Sequence, residues 1–229
     1  MATQKNPEAP TVRRESSLRT REMILKGAMQ EFSERGFDGA RIDKIALRAG
    51  VNKNLLYHHY VNKDGLFSAL LEHMYEKIRA RQRDLELREK DPVDAIRRLV
   101  VFTGKIWVQY PEFLRLLQSE NLSGGRHVAG SPKVPSLYEP LLVTLKDVLE
   151  RGSQSGQFRR DADPVDLYIS ISALTAHYIN NHYTFEAIFG QALMSPQRIR
   201  QRLEHAADMV VAYLCAKPYE GVSASGACR

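Results

Sequence analysis

The residues best suited to chemistry lie together in the stretch NKNLLYHHY, residues 52–60. One short helix would carry amide, ammonium, phenol and imidazole groups, which hydrogen-bond to base edges and phosphate oxygens. A metal site at His58 and His59 is the alternative. Adjacent residues on a helix point about 100° apart, so these two rings cannot chelate one ion. The stretch therefore favours a surface that binds a polyanion.

A second set of polar residues raises the possibility of an enzyme. His177 and His182, with amides and carboxylates nearby, could be imagined as a hydrolytic or metal site. They are five residues apart, hence about 140° apart around a helix, and no second His-rich or Cys-rich segment completes a ligand set. Neither a nucleophile elbow nor a phosphate loop occurs in the sequence. The sequence therefore predicts no catalytic residue, no metal and no cofactor.

Composition and charge narrow the class of protein. The chain of 229 residues is 43% hydrophobic and 26% charged, as in ordinary globular proteins. Residues 1–63 hold 12 Lys+Arg against 7 Asp+Glu, whereas the remainder holds 21 against 20. This basic end favours a polyanionic partner, although a solvated basic face would look the same. No apolar run approaches the ~18 residues of a membrane span, so no membrane partner is expected, and two isolated cysteines fit a reducing cytoplasm.

Helical periodicity and its breaks indicate the elements that position these residues. Gly36 ends a first helix, Gly50 closes a second, Asn52 caps a short third, and Asn62 caps a long fourth helix over residues 63–88. Further helices are predicted at 92–109, 111–121, 136–151, 164–189 and 196–216, with a loop at 122–135. No segment alternates with period two. The fold class is all-α, with about nine helices.

The domain organisation follows from these elements. Three short helices with a glycine turn between the second and third are typical of a helix-turn-helix. We predict a disordered arm at 1–17, a helix-turn-helix DNA-binding domain at 18–62, a helical ligand-binding and dimerisation domain at 63–217, and a disordered tail at 218–229.

The apolar residues of the motif indicate which side of the third helix faces outward. Val51, Leu56 and Tyr60 close the small core, so that Tyr60 packs inside. The residues left on the outward side are Lys53, Asn54, Leu55, Tyr57 and His58. Tyr57 could instead serve surface packing alone. For Arg13, Arg14, Arg19 and Arg21, at the end of the arm and the start of the first helix, DNA contact and simple solvation both stay open.

The stretch GFDGARIDKIALRAGVNKNLLYHHYVNKDGLFSAL resembles the DNA-binding module of TetR-type transcriptional regulators. The likeness covers roughly residues 20–70. It implies that Asn52, Lys53, Asn54 and Leu55 face bases, while Tyr57, His58 and Lys63 take phosphates. Arg41 stands where the family commonly has a capping Thr, which weakens the cap and adds a phosphate contact. Leu55 replaces a small hydroxyl residue and suits an apolar contact, such as a thymine methyl.

The later helices match this family in number, length and order. The stretch SGQFRRDADPVDLYISISALTAHY is similar to the corresponding part of the pyrimidine-utilisation repressors, the RutR-like branch. The last two helices are apolar on several sides, which favours a four-helix interface between two copies over burial inside a monomer. The interface residues predicted are Leu167, Ile171, Leu174, Leu203, Val210 and Leu214.

Aromatic residues of the central helices suggest a ligand pocket, although aromatic residues at helical spacing are usually core. The pocket residues predicted are Phe102, Trp107, Tyr110, Phe113, Leu117, Asn121, Leu142, His177, Tyr178 and Asn181. The resemblance implies a homodimeric regulator, most simply a repressor, that a small-molecule effector releases from a palindromic operator in double-stranded DNA. An activator or a non-specific DNA-binding protein of the same fold is the alternative.

Overall fold

The structure, a computed structural model, describes residues 10–216, with side chains from residue 14 onward. The predicted tail at 218–229, the first nine residues of the predicted arm and the side chain of Arg13 lie outside the described residues. Within residues 10–216 all regular structure is helical, which confirms the all-α prediction. In this range no helix is both long and apolar enough to cross a membrane.

The described part of the chain holds eleven α-helices and one 3-10 turn. The first five elements are α1 (Pro10–Gly39), α2 (Ile42–Ala49), α3 (Lys53–His59), α4 (Lys63–Arg83) and the 3-10 turn Leu87–Glu89. The middle helices are α5 (Pro92–Gln109), α6 (Pro111–Leu122), α7 (Arg126–Ala129) and α8 (Lys133–Gln154). The last three are α9 (Pro164–Asn180), α10 (His182–Phe189) and α11 (Pro196–Cys215).

Helices α5, α9 and α11 begin where the sequence signals place them. Asp91, Asp163 and Ser195 each precede a proline at the first helical position, and each side chain accepts a hydrogen bond from a backbone N–H of the first turn. These caps satisfy N–H groups that have no partner within the helix.

Several boundaries differ from the prediction. Helix α4 ends at Arg83 rather than at residue 88, and α8 covers Lys133–Gln154 rather than 136–151. Residues 10–17, predicted as disordered, belong to α1. The predicted loop 122–135 contains α7, whose first N–H groups are capped by Glu120 Oε1 at 2.8 Å from His127 N and 2.9 Å from Val128 N. The predicted helix 164–189 divides at Asn181, whose amide donates to the carbonyl oxygen of His177 at 2.9 Å and so competes with the helical backbone.

The chain divides into two compact units. The first comprises the residues up to Tyr75 together with Glu112–Val134, and the second comprises Glu76–Pro111 with the residues from Pro135 onward. Helix α4 therefore contributes to both units. The boundary predicted at residue 63 differs from this division, because α6 and α7 group with the N-terminal helices.

An aromatic cluster forms the core of the first unit. Gly36 adopts a left-handed conformation (φ 67°) that interrupts α1 and turns Phe37 inward. The Phe37 and Phe67 rings pack 5.1 Å apart, and the His127 ring lies 4.7 and 4.8 Å from them. His127 is itself buried, with Nδ1 2.6 Å from Glu120 Oε2 and Nε2 3.3 Å from Asp64 Oδ1. The α6–α7 segment thus completes the core beneath the first turn of α4.

Helix α5 lies against α9 and α11 in the second unit. A Cβ atom at Gly104 would overlap the Leu203 side chain, so the glycine allows α5 and α11 to approach closely. The surrounding core is apolar and includes Ile96, Val100, Leu145 and Ile171.

Candidate nucleic-acid interface

A buried carboxylate holds both ends of α2. Glu31 on α1 is 4% exposed; its Oε1 accepts from the backbone N–H of Arg41 at 3.3 Å, and its Oε2 lies 3.1 Å from Arg48 Nε. Arg48 also pairs with the exposed Glu34 at 2.6 Å, and this hydrogen bond lowers the pKa of Glu34 below its usual value. Because Arg41 precedes α2 and Arg48 lies in its last turn, Glu31 fixes the helix against α1 along its length.

A glycine makes the turn between α2 and α3. Gly50 has φ 66° and ψ 29°, a left-handed conformation that side chains disfavour. The N–H of Val51 donates to the carbonyl oxygen of Ala46 at 3.0 Å, which closes the end of α2. This closure sets the angle at which the chain enters α3.

Helix α3 is capped at its start and anchored at its end. Asn52 Oδ1 accepts from the backbone N–H of Leu55 at 2.8 Å. Leu56 is fully buried and Tyr60 is 6% exposed, as the sequence analysis predicted, and burial raises the pKa of the Tyr60 phenol. Arg21 donates through Nε to the Tyr60 hydroxyl at 3.2 Å. The helix is therefore held by one side only.

The opposite side of α3 faces solvent. Lys53, Asn54, Tyr57 and His58 are exposed, Tyr57 by 47%, and Leu55 is half-buried. We call Lys53, Asn54, Leu55, Tyr57 and His58 the recognition surface. It brings ammonium, amide, phenol and imidazole groups together on a rigid helix, an arrangement that can donate to base edges and phosphates. Asn52 stands beside it with its oxygen already engaged as the cap, so only its amide N–H groups are free for a ligand.

Two predicted phosphate contacts have partners within the protein. Arg41 does not cap α2 with its side chain; its guanidinium pairs with Asp43 at 3.0 Å, which lowers the pKa of Asp43. Lys63 Nζ donates to the carbonyl oxygen of Asp38 at 3.0 Å and lies 4.9 Å from the centre of the Phe37 ring. A phosphate would have to displace Asp43 from Arg41, whereas Lys63 keeps two further N–H groups.

Two residues that position this interface, Glu31 and Gly27, were not predicted from the sequence. Glu31 contacts Arg41 and Arg48, which lie ten and seventeen positions further along the chain, and a local sequence pattern does not predict contacts at that distance. A Cβ at Gly27 would lie 3.0 Å from both the Ala49 nitrogen and the Ile45 carbonyl oxygen, so this glycine lets α1 and α2 touch. The only sequence signal for this contact is Gly27 itself, a glycine inside a helix that is apolar on one side.

The ten predicted pocket residues are divided between the two units. Phe113, Leu117 and Asn121 belong to the first unit, and the other seven belong to the second. Trp107 is buried, and its indole N–H donates to Thr175 Oγ1 at 3.1 Å. His177 and Tyr178 line a cavity of about 460 Å³ together with Phe185 and Arg202.

The predicted dimer residues lie on the inward sides of their helices. Leu167, Ile171, Leu203, Val210 and Leu214 are buried within the second unit. Leu174 packs against the same core. These six residues therefore pack in the core of the second unit. On α9, α10 and α11 the large apolar residues that remain exposed are Val165, Ile169, Tyr183, Ile188, Phe189, Met209 and Tyr213.

Metal chemistry finds no support in the geometry. Within residues 10–216 no three His, Cys, Asp or Glu side chains are grouped to hold an ion. His58 and His59 have ring centres 5.6 Å apart with planes inclined by 76°. Partial burial lowers the pKa of His59, which favours its neutral form.

The fold and the recognition surface define a helix-turn-helix regulator with a separate helical second unit. Comparison with known proteins gives the same class. The model described as "Bacterial regulatory proteins, tetR family" matches residues 24–70, and the one described as "Tetracyclin repressor-like, C-terminal domain" matches residues 92–210. The chain belongs to the TetR family of transcriptional regulators, as its sequence predicted.

Curated relatives cover nearly the whole chain. It is 32% identical over 200 residues to the transcriptional repressor NicS of Pseudomonas putida, covering 87% of this chain and 94% of NicS. It is 27% identical over 199 residues to the regulator RutR of Escherichia coli, covering 82% of this chain and 87% of RutR. The solved structure of the ketosteroid regulator KstR2 of Mycobacterium tuberculosis has a TM-score of 0.63 at 22% identity, covering 86% of this chain and 95% of KstR2, and shares the fold.

Proposed function

We propose that this regulator is a repressor that binds a palindromic operator as a homodimer and is released by a small-molecule effector. The observation that carries the proposal is the recognition surface: a polar helix side held outward by Leu56, Tyr60 and the Asn52 cap. Lys53, Asn54 and Leu55 would face bases, with Asn52 contributing an amide N–H. Tyr57, His58, Lys63 and Arg41 would take phosphates.

Exposed apolar residues support the dimer. Val165 and Ile169 are spaced by four on α9, and Met209 and Tyr213 are spaced by four on α11, so each pair lies on one side of its helix. Exposed apolar surface of this kind marks an interface. Pairing with the same helices of a second copy would give a four-helix, two-fold contact. A dimer with two-fold symmetry can bind two operator half-sites about 34 Å apart.

Release would proceed through α4. This helix begins at Lys63 beside the recognition surface and continues to Arg83 in the second unit. A shift of α4 on effector binding would change the separation of the two recognition helices. Linkage requires DNA to weaken effector binding by the same factor, typically worth ~1–3 kcal/mol. Equal effector affinity for free and operator-bound protein would contradict this mechanism.

The direct test is a gel shift with the DNA upstream of the protein's own gene against random DNA, at ~150 mM salt. We expect a dimer to retard one palindromic fragment. Lys53→Ala and Tyr57→Ala should each lower affinity for that fragment by ~1–3 kcal/mol. Lys146→Ala, an exposed lysine on α8, is the matched control and should bind like the unaltered protein.

The alternatives give different patterns. A non-specific binder of the same fold would retard both fragments equally, and Lys53→Ala would weaken both. An activator would bind specifically and raise transcription from the bound promoter in a reporter strain. Specific binding with lowered transcription supports repression; equal retardation of random DNA and every genomic fragment would contradict the proposal.

A further inference from the structure

A buried arginine in the second unit lacks an acidic partner. Arg79, on α4, is 8% exposed. Its Nη2 donates to the Tyr168 hydroxyl at 3.1 Å, while Nε and Nη1 have no hydrogen-bond partner among the described residues. No described carboxylate lies within ion-pair distance of it. A guanidinium carries its charge at every ordinary pH, so this cation is desolvated and left short of partners.

Two tyrosines hold the guanidinium in place. Its central carbon lies 4.7 Å from the centre of the Tyr138 ring and 5.6 Å from that of Tyr168. The two rings pack edge to face at 5.8 Å. Contact with ring faces offsets part of the lost hydration, but it leaves the in-plane N–H groups of Nε and Nη1 unused. The arginine is therefore fixed in orientation with donors to spare.

A cavity of about 390 Å³, within the range of small-molecule sites, has Arg79 in its lining. Gln82, one turn after Arg79 on α4, also lines it; this glutamine is 7% exposed and its Oε1 has no partner among the described residues. Leu87, Leu137 and Leu141 supply apolar wall. The cavity is therefore lined by one residue with unused donors and one with an unused acceptor, next to an apolar surface. These polar atoms are covered by neighbouring atoms, so a ligand reaches them only when the surrounding side chains shift.

We propose that Arg79 and Gln82 form the polar end of an effector site for a small organic carboxylate that also carries an N–H or O–H group. The carboxylate supplies the negative charge that Arg79 lacks, and the N–H or O–H group donates to Gln82 Oε1. The other charged residues of the lining have no net charge, since they are two arginines and two glutamates: Arg83, Arg88, Glu86 and Glu89. The charge of Arg79 therefore determines the preference for an anion. The assignment to an effector rests on the ligand response proposed above.

The test uses the full chain and pairs of probes that differ in charge. Benzoate, 4-hydroxybenzoate and hexanoate are each compared with the matching carboxamide by calorimetry at millimolar concentration. We expect the carboxylates to bind roughly tenfold or more tightly than the amides, and 4-hydroxybenzoate to exceed 4-methoxybenzoate because only the former donates to Gln82. No preference for carboxylate over amide in any pair would overturn the proposal.

Variants assign the binding to the site. Arg79→Met should abolish the carboxylate preference, and Arg79→Lys, which keeps the charge, should retain part of it. Gln82→Leu should remove the advantage of 4-hydroxybenzoate over 4-methoxybenzoate. Lys146→Met is the surface control and should bind all probes as the unaltered protein does. Carboxylate binding that Arg79→Met and Arg79→Lys both leave unchanged would overturn the assignment.

Gel shifts separate this inference from the proposed function. Specific operator binding with release only by Arg79-independent, neutral compounds would refute the carboxylate site and leave the regulator proposal standing. Arg79-dependent carboxylate binding by a protein that retards all DNA equally would refute the operator proposal and leave the site standing. Carboxylate release of operator from the unaltered protein, but not from Arg79→Met, supports both.

Discussion

The recognition surface and the Arg79 cavity place polar groups under opposite conditions. The side chains of α3 face solvent, where water satisfies them until a ligand arrives, and the helix beneath them is held by Leu56 and Tyr60. Arg79 is buried, and two of its nitrogens have no partner among the described residues. A polar site on the surface therefore lowers the folding stability little. A buried polar site lowers it more, but it can select a ligand that supplies the missing partners. Stability measurements can test this difference.

The largest effect is expected on the buried side of α3. Leu56→Ala removes a fully buried side chain and should lower the free energy of unfolding by ~2–5 kcal/mol. Specific DNA binding should weaken with it, because α3 loses its anchor. Tyr57→Ala, the neighbouring exposed residue, should weaken DNA binding without a comparable loss of stability. Urea unfolding of both variants measures this; equal destabilisation would show that α3 has no free side.

An intermediate effect is expected at the carboxylate that braces α2. Glu31→Gln keeps the shape but removes the charge facing Arg48, and we expect a loss of ~1–3 kcal/mol in unfolding free energy. Glu34→Gln changes the exposed partner of the same arginine and should leave stability nearly unchanged. Thermal unfolding of the pair at neutral pH distinguishes them. If Glu34→Gln lowers the unfolding free energy as much as Glu31→Gln does, the burial of Glu31 does not explain the strength of its pairing with Arg48.

The smallest effect is expected at Arg79, and its sign is reversed. Arg79→Met replaces an unpaired buried cation by an apolar chain of similar length, which should raise the free energy of unfolding by about 1 kcal/mol. Operator affinity should be unchanged, since Arg79 lies outside the recognition surface. Urea unfolding without ligand provides the measurement. A clear loss of stability would mean that the tyrosine rings already compensate the charge.

Local signals explain why α2 and α3 could be predicted so closely. Gly50 and Asn52 mark the turn within three residues, and the buried positions follow the helical period. Glu31 and Arg79 could not be found in this way. Their burial depends on groups far along the chain, Arg48 for one and Tyr138 with Tyr168 for the other. The six dimer residues show the same limit, because periodicity identifies apolar sides without saying which neighbour covers each.

The inclusion of Glu112–Val134 in the first unit has a consequence for synthesis. Phe37 and Phe67 acquire their contact with His127, and Asp64 its contact with His127 Nε2, only after this segment has left the ribosome. Domains generally fold as units during synthesis. We expect a nascent chain that stops before Val134 to hold an unfinished core beneath the first turn of α4. Chains that end before Val134 also lack Tyr138 and Tyr168 of the proposed effector site, and we expect them to occupy the operator poorly.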